Sequence, residues 1–426
     1  MKKIKEGDNT IIMVKFIHAA DLHLDSPFIG LKSLPDFIWK AIYLSTFSAL
    51  TKIVDSAIQK NVDFVCLVGD IYDNDERSVK AQAYLRNEME RLNKMNIPVY
   101  LLHGNHDYIE NTGLHLDMPP NVRLFNESVE TKWFTTKENE QVAITGFSYD
   151  KRWVLERKIR DYPERNPRAT YHIGLLHGFS EGIDSEHGNY APFSIAELRS
   201  KKYDYWALGH IHKRQQLSTN PPIFYPGNTQ GRSSKESGEK GFELITLTES
   251  EVVSEFCPTA TIQWKTIELS VKEKKNLDDV YKALRAIIEE QKNELYSVFL
   301  SIRLTDCNDL LEGVIRKIKQ GELLEALQQI PKADTFVWVH KMELETIVEN
   351  HIPAIQKLFP DEWDKVQSEI EKEVLFNEST NTLFDFPGIE EVVEAREKSY
   401  RKKIVRDAKE LVRNQLGFER SDDLED

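Results

Sequence analysis

The chain has 426 residues, 40% of them hydrophobic, so it exceeds one ordinary core and two or three domains are expected. Its formal net charge of -14 at pH 7 argues against a protein that coats nucleic acid through its overall field. Three scattered cysteines, Cys66, Cys257 and Cys307, exclude a disulfide framework or a zinc knuckle. No apolar stretch is long enough to span a bilayer, and the charged start lacks the apolar middle of a secretion signal, so a reduced, cytoplasmic protein is expected.

Residues 1–12 read as a loose tail. Met13 to Ala20 reads as a buried strand running into Asp21-Leu22-His23-Leu24-Asp25, where Asp21 and His23, two apart, share one side of an extended segment. Phe37 to Lys60 has helical spacing, with Ala41, Leu44, Phe47, Leu50, Val54 and Ala57 in one stripe. The next strand, Val62 to Val68, ends in Gly69-Asp70-Ile71-Tyr72-Asp73, and a βαβ return brings Asp70 beside the first strand's end. A second amphipathic helix, Arg77 to Met95, leads to a third strand, Ile97 to Leu102, followed by His103-Gly104-Asn105-His106-Asp107. There Gly104 supplies the freedom for an abrupt turn, and an amide, an imidazole and a carboxylate together suit a hard or borderline divalent cation.

Short strands between residues 121 and 147, a charged helix around Lys151 to Arg160 and a proline-broken loop lead to a fourth strand. This strand, Tyr171 to Leu176, ends in His177-Gly178, and the polar loop beyond carries His187, placed to contact substrate. Helix Ser194 to Lys201 precedes the fifth strand, Tyr203 to Leu208, which ends in Gly209-His210-Ile211-His212. Closing strands are expected at Gly241 to Leu247, Val252 to Cys257 and Ile262 to Leu269. Asp21, His23, Asp70, Asn105, His177, His210 and His212 offer oxygen and nitrogen without sulfur, and they are too many for one tetrahedral ion. Two ions sharing a carboxylate, about 3.5–4 Å apart as in two-metal hydrolases, is the natural count. His18 and His103, just before two motifs, read as buried or supporting histidines rather than ligands.

In order, DxH, GDxxD, GNHD, HG and GHxH resemble the calcineurin-like metallophosphoesterases. The finer pattern, His18-Ala19-Ala20-Asp21-Leu22-His23-Leu24 with Gly69-Asp70-Ile71-Tyr72-Asp73 and Leu102-His103-Gly104-Asn105-His106-Asp107, is similar to the SbcD-type DNA repair exonuclease branch. The resemblance covers roughly residues 13–265 and implies an α/β fold, a four-layer β-sandwich flanked by helices. It implies that Asp21, His23 and His212 bind one divalent ion, Asn105, His177 and His210 the other, with Asp70 between them and manganese the foremost metal. His106 follows a ligand directly and is read as facing the substrate, protonating the leaving oxygen, with Asp107 holding its other nitrogen. In archaeal and eukaryotic nucleases of this type a histidine occupies the position of Asp73, so the archaeal mechanism does not carry over there.

After Glu268 the composition becomes polar, and residues 266–345 read as a small α+β capping domain: helix Leu277 to Asn293, strand Ser297 to Leu304, helix Asp309 to Gln329 and strand Thr335 to Met342. From Thr346 the chain is charged and helical, and Ile389 to Leu416 keeps a partial apolar stripe suited to docking a partner. By resemblance that partner is an SMC-like coiled-coil ATPase and the substrate is DNA. Related nucleases often dimerise, but no patch here forces a homodimer. The competing readings are a phosphoesterase of the same fold acting on a small nucleotide or nucleotide sugar, and a non-catalytic scaffold. The added module and tail favour the nuclease over the first, and the full ligand set with His106 disfavours the second.

Overall fold

The computed structural model describes residues 13–345 apart from 29–30, 32–33, 74–76, 110–113, 138, 183–189 and 330–332, and at the two ends residues 5–6, 9–10, 365, 369–370, 372–384 and 402–408. Residues 1–345 and 346–426 form two compact units. Within the stretch expected as a loose tail, β1 (Lys5–Glu6) pairs antiparallel with β2 (Asn9–Thr10).

Two six-stranded sheets dominate the first unit. The first is built on β3 (Met13–Ala19), β4 (Phe64–Val68), β5 (Val99–Leu102) and β6 (Val122–Leu124), all parallel, and is extended antiparallel by β13 (Gly241–Thr248) and β14 (Val252–Pro258). In the second, β8 (Gln141–Gly146), β9 (Tyr171–His177), β10 (Tyr205–Gly209) and β12 (Pro222–Tyr225) run parallel, edged antiparallel by β7 (Glu130–Thr135) and β11 (Gln215–Thr219). Strand side chains alternate between faces, which sorts each central strand's residues into two cores. Phe16, Phe64, Cys66, Tyr100 and Leu102 meet Ile144, Ile173, Leu175, Tyr205 and Ala207 between the sheets. Their neighbours Ile17, Val65, Leu67 and Leu101 face outward onto α1 (Asp36–Gln59) and α2 (Val79–Lys94). Ser78 caps α2, its side chain accepting from Ala81 N at 3.0 Å. On the far side of the second sheet, Trp206, Leu208 and Tyr225 pack with Leu198 of α3 (Ile195–Ser200) and with Tyr149, Ile159 and Tyr162. The layered mixed α/β sandwich expected from the sequence is therefore present.

A third, parallel sheet of β15 (Ile262–Ser270), β16 (Ser297–Thr305) and β17 (Val337–Leu344) follows. Val298, Leu300, Ile302 and Leu304 on one face of β16 bury α4 (Leu277–Glu290), α5 (Glu312–Lys319) and α6 (Glu322–Leu327). Phe299, on the other face, packs with Trp264 and Trp338 against Phe28 and against Ile38 and Ile42 of α1. In the second unit, α7 spans Glu373–Phe384.

Two helices differ from expectation. Around Lys151 to Arg160 there is only a 3-10 turn, Lys158–Asp161. The two buried apolar residues there, Val154 and Ile159, are five apart and do not share a helix face. The helix expected over Asp309 to Gln329 is split into α5 and α6 at Gly321, whose left-handed φ of 81° ends the first piece. Edge strands β7 and β11 gave no sequence signal, being half-exposed and without apolar alternation.

His18 is a satisfied core histidine. Its Nε2–H faces Leu208 O at 2.9 Å and its Nδ1 lies 3.0 Å from the Tyr205 hydroxyl. Burial pushes its pKa down to about 3, against the Leu208 hydrogen bond. The unfolded chain therefore takes up a proton that the folded chain refuses, so His18 contributes stability above pH 6.5 that is lost as the pH falls toward 3. By pH 5 the loss is about 2 kcal/mol from this residue. Urea midpoints at pH 7.5 and pH 5 should converge more for His18→Gln than for the wild type, whereas equal pH dependence in the two proteins would reject this account.

Candidate metal centre

The central strands are in register, so their carboxyl ends lie level: Val68 is opposite Leu102, and His177 opposite Gly209. The five motifs follow β3, β4, β5, β9 and β10, three strand ends from one sheet and two from the other. The sheets meet here directly, with His177 Nδ1 3.0 Å from Val68 O across the sandwich. The loops leave the strands abruptly, and Asp21, His23, Asp70 and His210 all have positive φ, of 54°, 46°, 48° and 102°. Such conformations cost of order 1–3 kcal/mol each in non-glycine residues and persist where the surroundings over-determine them. Hydrogen bonds from Asp21 N to Gly69 O (3.1 Å) and His23 N to Asp70 O (3.0 Å) supply part of that constraint.

Asp21, His23, Asp70 and His212 present ligand atoms to one point, and Asp70, His177 and His210 to another, with Asp70 common to both. Asn105 joins the second group, its Oδ1 3.1 Å from His177 Nε2. All seven expected donors are thus brought together. His23 and His212 offer a direct test of fit. Their Nε2 atoms are 3.0 Å apart, while His23 Nδ1 faces Asp73 Oδ1 at 2.9 Å and His212 Nδ1 faces Glu236 Oε1 at 2.7 Å. His212 Nδ1–H is directed to its carboxylate, whereas His23 Nδ1 lies close to Asp73 without an aligned hydrogen bond. The two Nε2 atoms meet in an arrangement that a cation between them satisfies.

The charges agree. Burial lowers the pKa of both His23 and His212, keeping the imidazoles neutral as ligands require. Burial pushes Asp21 up to about 7, with neighbouring Asp70 adding to the effect and His177 offsetting only part of it. Asp70 is desolvated too, but His177 and His106 outweigh this and hold it well below the usual carboxylate range.

Residues 14–214 match the calcineurin-like phosphoesterase family. The chain is 38% identical over 349 residues to the uncharacterized metallophosphoesterase YhaO of Bacillus subtilis, covering 81% of this chain and 85% of that one. The chain belongs to the calcineurin-like metallophosphoesterase family. It is also 26% identical to the DNA double-strand break repair protein Mre11 of Thermoplasma acidophilum, over 48% of this chain and 57% of that one. With the D component of the SbcCD nuclease of Staphylococcus epidermidis it shares 22% identity, over 79% of this chain and 92% of that one. Membership makes the protein a metal-dependent phosphodiesterase, a hydrolase that uses divalent ions. No helix among the described residues is long and apolar enough to cross a membrane.

The metallophosphoesterase departs from expectation at Asp107. Its carboxylate does not hold His106. Instead Oδ2 accepts from Ile71 N at 2.8 Å and lies 3.0 Å from His103 Nδ1, and Oδ1 accepts from Gly104 N at 2.7 Å. The tight 103–107 turn directs Asp107 back toward its own start and toward the loop after β4, so it pins two ligand loops together and supports His103. His106 Nδ1 is held by Asp73 O at 2.9 Å. Gly104 also works differently from the expected turn: its φ is not left-handed, but a Cβ there would overlap Asp70 Oδ1 and lie 2.7 Å from His177 Nε2. His187 lies outside the described residues.

Sequence reasoning missed Asp73, Arg232, Glu236, Asn228 and Lys240 as parts of this centre. The loop after β12 wraps His212: Lys240 Nζ donates to His212 O at 2.9 Å, and Asn228 Nδ2 donates to Glu236 Oε2 at 2.8 Å. One signal was legible, since Tyr225-Pro226-Gly227-Asn228 repeats the strand, glycine, asparagine order of Leu102-His103-Gly104-Asn105.

Proposed function

We propose that this metallophosphoesterase is a DNA nuclease that hydrolyses phosphodiester bonds with two manganese ions, in the cytoplasm, in repair or recombination alongside an SMC-like coiled-coil ATPase. The observation that carries the two-ion reading is that Asp70 belongs to both ligand groups. Asp21, His23 and His212 would hold one ion, Asn105, His177 and His210 the other, and Asp70 both. Two divalent ions there supply the acidity that activates water and the charge that neutralises the phosphate. His106, tied through Nδ1 to Asp73 O, has Nε2 to deliver a proton to the leaving oxygen. The choice of DNA is supported by the names of the Mre11 and SbcCD relatives and by the added β15–β17 module, proposed as a substrate-selecting cap. Ile389 to Leu416, the proposed docking helix, lies outside the described residues except for its helical piece at 402–408.

The test is degradation of linear and circular DNA with manganese or magnesium, beside hydrolysis of nucleotides and bis-phenyl phosphate. Loss of linear DNA is expected with manganese, and an SMC-like ATPase should be retained by the full chain and released on deletion of residues 389–426. Cleavage of the small esters with no DNA degraded, even with the ATPase added, would replace the nuclease by an enzyme of small nucleotides.

A further inference from the structure

Behind the two imidazoles whose Nε2 atoms converge stands one guanidinium. Asp73, which backs His23, and Glu236, which backs His212, come from loops 163 residues apart, and Arg232 touches both carboxylates. One terminal nitrogen pairs with Asp73 Oδ1, and the other lies 3.3 Å from Glu236 Oε1 and 3.4 Å from His212 Nδ1. Its own backbone N–H donates to Glu236 Oε2 at 2.7 Å. The result is a ring of contacts, Asp73 to His23 to His212 to Glu236, completed by Arg232, in which Asp73 and His23 meet as a 2.9 Å charge contact and not as an aligned hydrogen bond. The fork of a guanidinium can hold two carboxylates at fixed separation, which a point charge such as Lys cannot.

Arg232 is itself immobilised. Its neighbour Gln230 donates to Ile262 O at 2.7 Å, and Gly231 O accepts from Trp264 Nε1 at 2.9 Å. Both partners lie on β15, so the loop is fastened to the third sheet as well as to the metal centre. In the second ligand group, His177 Nδ1 is held instead by a backbone carbonyl, Val68 O. His177 thus differs from His23 and His212 in what stands behind the ring.

We propose that Arg232 is a positioning residue for the ion held by Asp21, His23 and His212: it fixes Asp73 and Glu236, and through them the Nδ1–H tautomer and direction of both imidazoles, so that this site alone depends on it. The inference rests on the two-ion reading above. Carboxylates that orient ligating histidines are commonly worth about 10–100-fold in metal affinity, and Arg232 sets two of them at once.

The experiment is manganese titration of the full chain by calorimetry, together with 15N spectra of the histidine rings in metal-free protein. The wild type is expected to bind two ions and to show His23 and His212 protonated on Nδ1. Arg232→Met should weaken one of the two sites by about 10–100-fold, leave the other at its wild-type affinity, and shift the ring signals of His23 and His212 but not of His177. Should Arg232→Met not fold, Glu236→Gln keeps the side chain's shape and should weaken the same single site while altering His212. Two ions bound with wild-type affinities and unchanged ring signals in a folded variant would overturn the role of Arg232 alone. Fewer than two ions in the wild type would overturn the two-ion reading and this inference with it.

Discussion

Replacing His106 with alanine is expected to lower phosphodiester hydrolysis by about 10²–10⁴-fold, the usual contribution of a positioned general acid, while two ions still bind. The side chain is placed for this. Its ring meets His23 edge-on with centroids 5.1 Å apart, its Nδ1 is held by a backbone carbonyl, and its backbone N–H donates to Asp70 Oδ1 at 3.0 Å. The backbone contact with Asp70 survives removal of the ring, so the shared carboxylate stays in place. A rival role is available, because His23, Asp73 and His106 also present atoms close enough to share a cation. Metal stoichiometry separates the two roles: a His106→Ala protein that binds one ion fewer would make His106 a ligand instead of an acid. A leaving group that needs no proton, such as nitrophenolate, should be far less affected, whereas equal loss on both esters would remove the acid role.

Gly104→Ala is expected to cost at least about 10² in activity and to lose bound metal, although it adds a single methyl group. The methyl would occupy the space of Asp70 Oδ1 and crowd His177 Nε2, so the carboxylate common to both donor groups and a donor of the second group must both move. Displacements near 1 Å commonly cost about two orders of magnitude in catalysis. The strand before it ends at Leu102 and the turn is tied by Gly104 N to Asp107 Oδ1, so the backbone has little room to withdraw. Calorimetry with manganese reads the result directly, and wild-type stoichiometry with full activity would show that the loop yields. Thermal stability should fall as well, since the methyl would also lie 2.8 Å from Asp70 N and overpack buried groups.

Much of this was written locally. The stripes of α1 and α2, the apolar runs of the central strands and the seven donors after them follow from short-range spacing, because a strand's end and a helix's face are set by a few neighbouring residues. Spacing along the chain does not sort the donors: Asp21 and His23 share a group although both have left-handed φ and not the extended backbone expected, and His210 and His212, also two apart, fall in different groups. The edge strands β7 and β11 were not legible, since a half-exposed strand is defined by the partner that it pairs with and carries little pattern of its own. The broken helix at Gly321 was a local signal passed over.

Residue order alone dictates which side chains carry oxygen and nitrogen donors and that they follow strand ends. Who holds those atoms is settled by the folded chain: Asp107 turned from His106 to His103 and the loop after β4, His106 passed to the carbonyl of Asp73, and Arg232 joined carboxylates from two distant loops. The physical reason is that a ligand's chemistry belongs to its own side chain, whereas its orientation depends on hydrogen bonds to groups far away in the chain. Asp107 and His103 are four residues apart, but Ile71 and Asp73 reach Asp107 and His106 only because β4 and β5 pair in one sheet, and Arg232 joins Asp73 to Glu236 only once the fold brings their loops together.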